Sequence, residues 1–307
     1  MPLEHALKQF IDFIDPGKTR IEVLPDIILA FGGRLSAKQG EEYISCRNVF
    51  ISHVLSTKFE LSHAVLCPEH YPEWNQFEHY PDLIAFEKDA CSLAKAIVLF
   101  SESEGAFAEL GAFCQDEVIS ERLLVVVSKE HFNANSFIKL GPLKHIESKH
   151  SEGSICVVNS IKPVAFENDV SVVVNALREK IQTEPKTQQF DPSRIRDQLL
   201  LIAQLVDLFS AVTRAELKDL LVGMGVMLEP KRLKQMINLL QLFELVYPTE
   251  KGTQRFLVPP KGIMRKYYLN FGAKLAGEKF DRAKFKMQIF QQDASRDAVF
   301  RQAHEAK

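Results

Sequence analysis

The stretch Ala94–Phe113, "AKAIVLFSESEGAFAELGAF", decides the fold. Its apolar run Ala96–Phe100 is rich in β-branched residues and ends in a short polar turn, after which a helix begins. Strand, turn and helix in this order are where open α/β sheets place ligands, outside the carboxyl ends of parallel strands. The helix start offers unpaired N–H groups and the positive end of its dipole. One carboxylate, Glu109, falls in the first turns, four residues after Gly105 and directly before Leu110-Gly111. Held ionised and aimed into a crevice, it suits a nucleophile or general base. The same segment also fits an ordinary βα unit, where acidic residues near a helix start are favoured anyway.

Working outward, Ile27–Phe31 is a second apolar run, bounded by Pro25 and Gly32-Gly33. "HAVLC", "LLVVV" and "SICVVN" are further runs of the same kind. Helical segments fit between them near Leu83–Leu93, Ala106–Glu117 and Phe132–Leu140, with Asp169–Ile181 as a closing helix. Strands buried on both faces and alternating with helices predict an α/β fold with a flavodoxin- or Rossmann-like, mostly parallel sheet. Residues 1–20 read as a helix followed by loop.

The composition changes at Gln182–Arg194, "QTEPKTQQFDPSR", which is polar, holds two prolines and has no periodicity. A first domain is therefore expected over 1–185, a second over 186–260 and a helical extension over 261–307. In the second, "RIRDQLLLIAQLVDLFSAV" is amphipathic, Thr213 and Glu216 fit a capping box, and Pro230 opens a third helix. A hairpin with Lys251-Gly252 at its tip follows. Three helices and a hairpin are the order of an α-rich winged helix, a helix-turn-helix variant.

The 307 residues, 46% hydrophobic and 25% charged, have the make-up of a globular protein with a sizeable core. The net charge of -2 points to no partner. No apolar run is long enough to span a membrane. The N-terminus lacks the basic and apolar regions of a signal peptide, so a cytoplasmic protein is expected. Cys46, Cys67, Cys91, Cys114 and Cys156 are odd in number, which favours buried free thiols in a reducing compartment.

The turn "FGGRLS", Phe31–Ser36, lets backbone approach a ligand and turns N–H groups toward it, although a tight βα turn without a ligand has the same sequence. Cys67–Asp82 is a long loop rich in aromatics, His and Pro, with the only tryptophan, Trp74; it suits a stacking wall or lid. The spacing of His70 and His79 matches no common ligand pattern, so no metal is expected. Lys231, Arg232 and Lys234 sit at the start of the third helix of the second domain, and Lys251 and Arg255 lie on the wing. Basic side chains there meet phosphates, but winged helices also bind protein or dimerise. "RKYYLNF" mixes basic and aromatic residues and fits either a single-strand platform or a half-buried helix.

The polar turn followed by "GAFAELGAF" resembles the nucleoside deoxyribosyltransferase superfamily, with Ser103, Gly105, Glu109 and Gly111 on its pattern. The resemblance implies a nucleophilic Glu109, and a first loop, Gly32, Gly33 and Arg34, that binds sugar-phosphate. It also implies a second acid eight residues before the residue that opens the strand. Counting back from Lys95 gives Glu87, with Asp89 as the alternative. Ser103, where the transferase branch usually has Asp, looks more like the deoxynucleotide N-hydrolase branch, in which it contacts a 5′-phosphate. That implies hydrolysis of a phosphorylated substrate, with no cofactor.

The pairing of such a domain with a winged helix resembles the effectors of bacterial retrons, on "LFSESEGAFAELGAF", "FGG" and "SFIKLGP" (Ser136–Pro142). This resemblance implies a toxic N-glycosidase acting on a nucleotide or NAD. The retron reverse transcriptase and its multicopy single-stranded DNA, an RNA–DNA hybrid, would restrain it, and a homo-oligomer is one further arrangement. The rival is a nucleic-acid-binding regulator whose first domain senses a nucleotide without turnover.

Overall fold

The five apolar runs become the five strands of a parallel sheet, and its order fixes where a crevice opens. The structure, a computed structural model, describes residues 2–35, 42–57, 62–68, 80–150, 152–182, 187–262 and 268–305. Two compact units divide the chain: Asp26–Phe77 with Asp82–Glu184, and Met1–Pro25 and Glu78–Pro81 with Pro185–Lys307.

In the first unit the strands are β2 (Ile28–Phe31), β3 (Val65–Leu66), β4 (Ala96–Phe100), β5 (Leu123–Ser128) and β6 (Ile155–Val158). Every residue of β2, β4 and β5 is buried, as a strand covered on both faces requires. The order is β3-β2-β4-β5-β6, all parallel. This is the flavodoxin-like order, and its direction reverses between β2 and β4. One face carries Ile28, Val98, Phe100, Leu124 and Val126. They pack against α2 (Cys46–Ser56), α8 (Pro163–Phe166) and α9 (Val170–Gln182), through residues such as Phe50, Phe166, Val173 and Leu177. Near the opposite face run α3 (Leu83–Leu93), α4 (Glu104–Phe113) and α5 (Glu117–Arg122), with the Phe31 and Phe113 rings 5.1 Å apart. The sheet is thus doubly wound. Helix α6 (Lys129–Asn133) ends before a break at Ala134–Ser136, and a π-helical turn, Lys139–Leu143, leads into α7 (Lys144–His150), in place of the single helix expected near 132–140; the Ser136 hydroxyl accepts the Lys139 N–H at 3.4 Å where the chain turns helical again.

In the second unit α10 (Ile195–Phe209) is nearly encircled, with Leu199–Val206 wholly buried. Its buried Arg196 donates to Asp197 at 2.6 Å and to Gln188 at 2.5 Å. It is followed by α11 (Arg214–Gly223), α12 (Pro230–Leu242) and the hairpin β8 (Tyr247–Lys251) and β9 (Gln254–Val258). The Thr213–Glu216 capping box forms, and Gly252 takes a positive φ of 62° at the hairpin tip. Helices α13 (Arg282–Gln292) and α14 (Ala294–Glu305) end the chain.

Two expectations fail here. Residues 14–23 form a ten-residue strand, β1, not a loop. The 261–307 region contains β10 (Tyr268–Ala273) before its helices. The two strands pair antiparallel, with β7 (Gln188–Gln189) on the other side of β1. Pro16 and Gly17 hide the strand from any local pattern, and register shifts between Asp15 and Arg20 absorb them. The first 25 residues therefore belong with the C-terminal part of the chain, and not with the parallel sheet as a range of 1–185 has it. Helix α1 (Pro2–Phe13) adds Phe10 to a cluster with Phe209, Phe271, Phe280 and Phe285.

Candidate active site

The carboxyl ends of β2 and β4 open onto two turns, Gly32–Leu35 and Ser101–Ser103. Ser103 is the N-cap of α4, and its hydroxyl accepts the Ala106 N–H at 3.2 Å. Glu109 then falls in the second turn of α4, partly exposed, with its Oε2 atom buried. Gly105 and Gly111 border open space: a Cβ on either would meet nothing within 4 Å.

Glu87 lies on α3, only 6% exposed, and Asp89 is buried as well. Asp82 caps this helix by accepting the Ala85 N–H at 2.8 Å. Cys91, on the same helix α3 as Glu87, is wholly buried. Burial pushes its thiol well above the usual range, and the charges of Glu87, Glu109 and Asp116 push it further. Glu87 and Glu109, expected as a pair, stand on the consecutive helices α3 and α4. Asp116 caps α5 by accepting from Val118 and Ile119, and pairs with Lys88 at 2.8 Å, which ties α3 to the start of α5.

The glycine turn has an occupant that the sequence did not announce. The carboxylate of Glu102 accepts the Gly33 N–H at 2.9 Å, the Cys46 N–H at 2.6 Å and the Arg47 N–H at 3.1 Å. The Gly33 N–H, expected at a substrate phosphate, is therefore given to a side chain of the chain itself. Arg47, 1% exposed, holds the same turn from beneath by donating to Gly33 O at 2.9 Å and Ala30 O at 3.2 Å. Glycine is required here: a Cβ on Gly32 would lie 2.9 Å from Phe100 Cβ at a φ of +152°, and one on Gly33 would lie 2.8 Å from Ser45 Cβ. Arg34 is exposed. The polar turn "SESEG" holds two glutamates, and only contacts across about 69 residues of sequence distinguish Glu102 from Glu104.

A groove of about 410 Å³ runs beside the far end of α4, lined by Gly111, Cys114, Phe137, Leu140 and His145 among others. It takes in part of the "SFIKLGP" segment. All five cysteines are buried. Among the described residues no group of three or more His, Cys, Asp or Glu could hold a metal ion. Trp74, His70 and His79 of the Cys67–Asp82 loop, and the start of "RKYYLNF", lie outside the described residues.

In the second unit Lys231 is exposed, and Arg232 and Lys234 are half-exposed on the first turns of α12. The opposite side of that helix buries Leu233, Met236, Ile237 and Leu240. Lys251 is exposed at the end of β8, and Arg255, exposed on β9, pairs with Glu250 at 2.8 Å. Among the described residues no helix is long and apolar enough to cross a membrane.

Fold and site together define a doubly wound α/β protein with Glu102 at its switch point and Glu109 on the helix that follows β4. A family model described as STM3845 retron effector protein matches residues 43–248, well over half of the chain, and the chain belongs to that family. The match contains Glu87, Glu102, Ser103 and Glu109. The chain is also similar to two Escherichia coli proteins, from retrons Ec73 and Ec86, each named provisionally as a ribosyltransferase/DNA-binding protein. Identity is 34% over 71 residues for the first, covering 23% of this chain and 22% of the relative. It is 31% over 81 residues for the second, covering 26% of each. The chain thus matches only about a quarter of the length of these curated relatives.

Proposed function

We propose that this retron effector is an N-glycosidase that removes the base, or nicotinamide, from a nucleotide or NAD-like substrate, with Glu109 as nucleophile. The observation that carries this is the placement of Glu109, with its Oε2 atom buried, in the second turn of the helix that follows the switch-point strand β4. Two carboxylates in one crevice divide the work of glycoside cleavage. A Glu109 oxygen bonds to C1′ as the C1′–N bond breaks, and the electron pair leaves on the ring nitrogen; a purine or pyrimidine takes up a proton as it leaves, whereas the pyridinium of an NAD-like substrate leaves as neutral nicotinamide without one. The transition state is oxocarbenium-like, and Glu87 hydrogen-bonds the sugar or supplies that proton. Water then attacks C1′, gives up a proton, and releases Glu109 as a carboxylate. Gly32, Gly33 and Arg34 on one side, and Ser103 and Gly105 on the other, wall the place of the sugar in this reading. The ribosyltransferase in the names of the two retron relatives supports chemistry at the same bond.

The second unit is proposed as a winged helix that docks on the retron's multicopy single-stranded DNA and reverse transcriptase through Lys231, Arg232, Lys234, Lys251 and Arg255. The DNA-binding in the relatives' names supports this. Docking would restrain a toxic activity until infection. The test is incubation of the protein with a panel of nucleosides, nucleotides and NAD, with chromatographic detection of released base and Glu109→Gln alongside. Base release by the wild type and none by the variant is the expected result. Tight nucleotide binding without release would favour a regulator that senses nucleotide.

A further inference from the structure

The Glu102 carboxylate occupies a place where its charge has a consequence for the substrate. Three converging backbone N–H groups, one from a glycine turn and two from the first turn of an eleven-residue helix, make a ready anion seat. It lies at the reversal of strand order between β2 and β4, where a doubly wound sheet takes its ligand. Glu102 fills that seat with both of its oxygens at 2.6–3.1 Å. The surroundings are built for this carboxylate. The Cβ positions of Gly32 and Gly33 would approach its carboxylate atoms to 3.0–3.1 Å, and buried Arg47 fixes the turn that presents the Gly33 N–H.

We infer that Glu102 is a specificity-determining residue: it supplies the anion at the switch point itself, so the crevice takes the sugar end of its substrate there as a neutral hydroxyl group and not as a terminal phosphate. A phosphate arriving at the β2–α2 turn would find its donors taken and would face a carboxylate of like charge. Glu102 and the glycine turn are half-buried, and there that repulsion exceeds its strength in bulk water. Glu102 immediately precedes Ser103, so the discrimination is applied next to the turn that carries Glu109. The substrate class that follows is a nucleoside, or a dinucleotide whose phosphates lie away from this turn. This inference rests on the N-glycosidase proposal for its kinetic half and is independent of it for its binding half.

The experiment compares wild type, Glu102→Ala and Glu102→Gln in the full chain, each checked for folding by near-ultraviolet circular dichroism. Glu102→Gln keeps the shape of the side chain and removes its charge, so it stands in if the alanine variant fails to fold. Binding of inorganic phosphate is measured by calorimetry, and kcat/KM is measured for 2′-deoxynucleosides against their 5′-monophosphates. Phosphate should bind the folded variant at least tenfold more tightly than wild type, and the monophosphate-to-nucleoside ratio of kcat/KM should rise at least tenfold. Equal phosphate affinity in variant and wild type, or a wild type that already prefers the monophosphate with a ratio unmoved by the substitution, overturns the assignment. If no protein releases base from any substrate, the glycosidase proposal falls and phosphate binding alone decides the role of Glu102.

Discussion

Glu87 on α3 and Glu109 on α4 stand on the two helices that flank strand β4 in the chain. Glu87 is almost wholly buried and Glu109 is partly exposed, so their surroundings differ as those of two carboxylates with different tasks do. Glu109→Gln is expected to lower base release by at least a thousandfold while the melting temperature stays within a few degrees, since the amide keeps the shape of the side chain. Glu87→Gln is expected to retain residual turnover. Single-turnover assays on both variants check this, and release by Glu109→Gln near the wild-type rate would remove it as nucleophile.

Gly33→Ala tests the packing of the turn itself. The added methyl would lie 2.8 Å from Ser45 Cβ and 3.1 Å from the Glu102 carboxylate carbon, so the turn must shift. The cost of such overpacking is about 1–3 kcal/mol, to be read from urea unfolding midpoints. An unchanged midpoint would mean that the turn yields freely and that Glu102 is not held as the distances indicate.

Arg296 on α14 anchors the end of the chain. It donates to both oxygens of Glu216, to Asp293 at 3.1 Å and to the carbonyl of Ala211 at 2.6 Å. Arg296→Ala leaves these acceptors without their cation and should cost about 3 kcal/mol. Burial pushes the Glu216 carboxyl up, but its hydrogen bonds with Arg296 and Thr213 outweigh that and hold it below the ordinary carboxylate range. Asp293 is lowered in the same way, its bonds with Ser295 and Arg296 outweighing burial. A carboxyl lowered in the folded state binds fewer protons than it does unfolded. Its contribution is therefore complete above the ordinary carboxylate range and is lost as pH falls through that range and below. Urea midpoints of wild type should thus drop on acidification below about pH 4.5, and those of Glu216→Gln should drop less steeply. Parallel slopes for the two proteins would refute the linkage.

How much of this was legible in the sequence depended on the range of the interaction. Val98, Phe100, Leu124 and Val126 announce their strands by local composition, and the parallel sheet followed from them. Thr213 and Glu216 lie three residues apart, and their capping box could be read directly. Strand β1 could not, because Pro16 and Gly17 look like a turn and its main partner, β10, lies at the far end of the chain. Glu102 is the same case within the site. Its neighbours Ser101, Ser103 and Glu104 are equally polar, and nothing local says which side chain turns back to the N–H groups of Gly33, Cys46 and Arg47.

The basic residues of the second unit give the last prediction. Lys231, Arg232 and Lys234 project from the first turns of α12, whose other side is committed to the core through Leu233, Met236 and Ile237. Their charges can therefore be reversed without entering the apolar interior, although Arg232 would lose its 3.4 Å contact with the Gln235 side chain. If they meet phosphates of the retron nucleic acid, each lost contact lowers the slope of log affinity against log salt by about one. Changing all three to Glu should weaken binding to the multicopy single-stranded DNA and its reverse transcriptase in pull-downs at low salt. The difference from wild type should shrink as salt rises, because screening already removes much of what the substitution removes. Base release by the full chain in the absence of the complex should be unchanged, since Glu109 and Glu87 lie in the other unit. If the triple variant binds as tightly as wild type at every salt concentration, this face does not dock on nucleic acid, and the apolar and acidic surfaces of the same unit become the ones to vary.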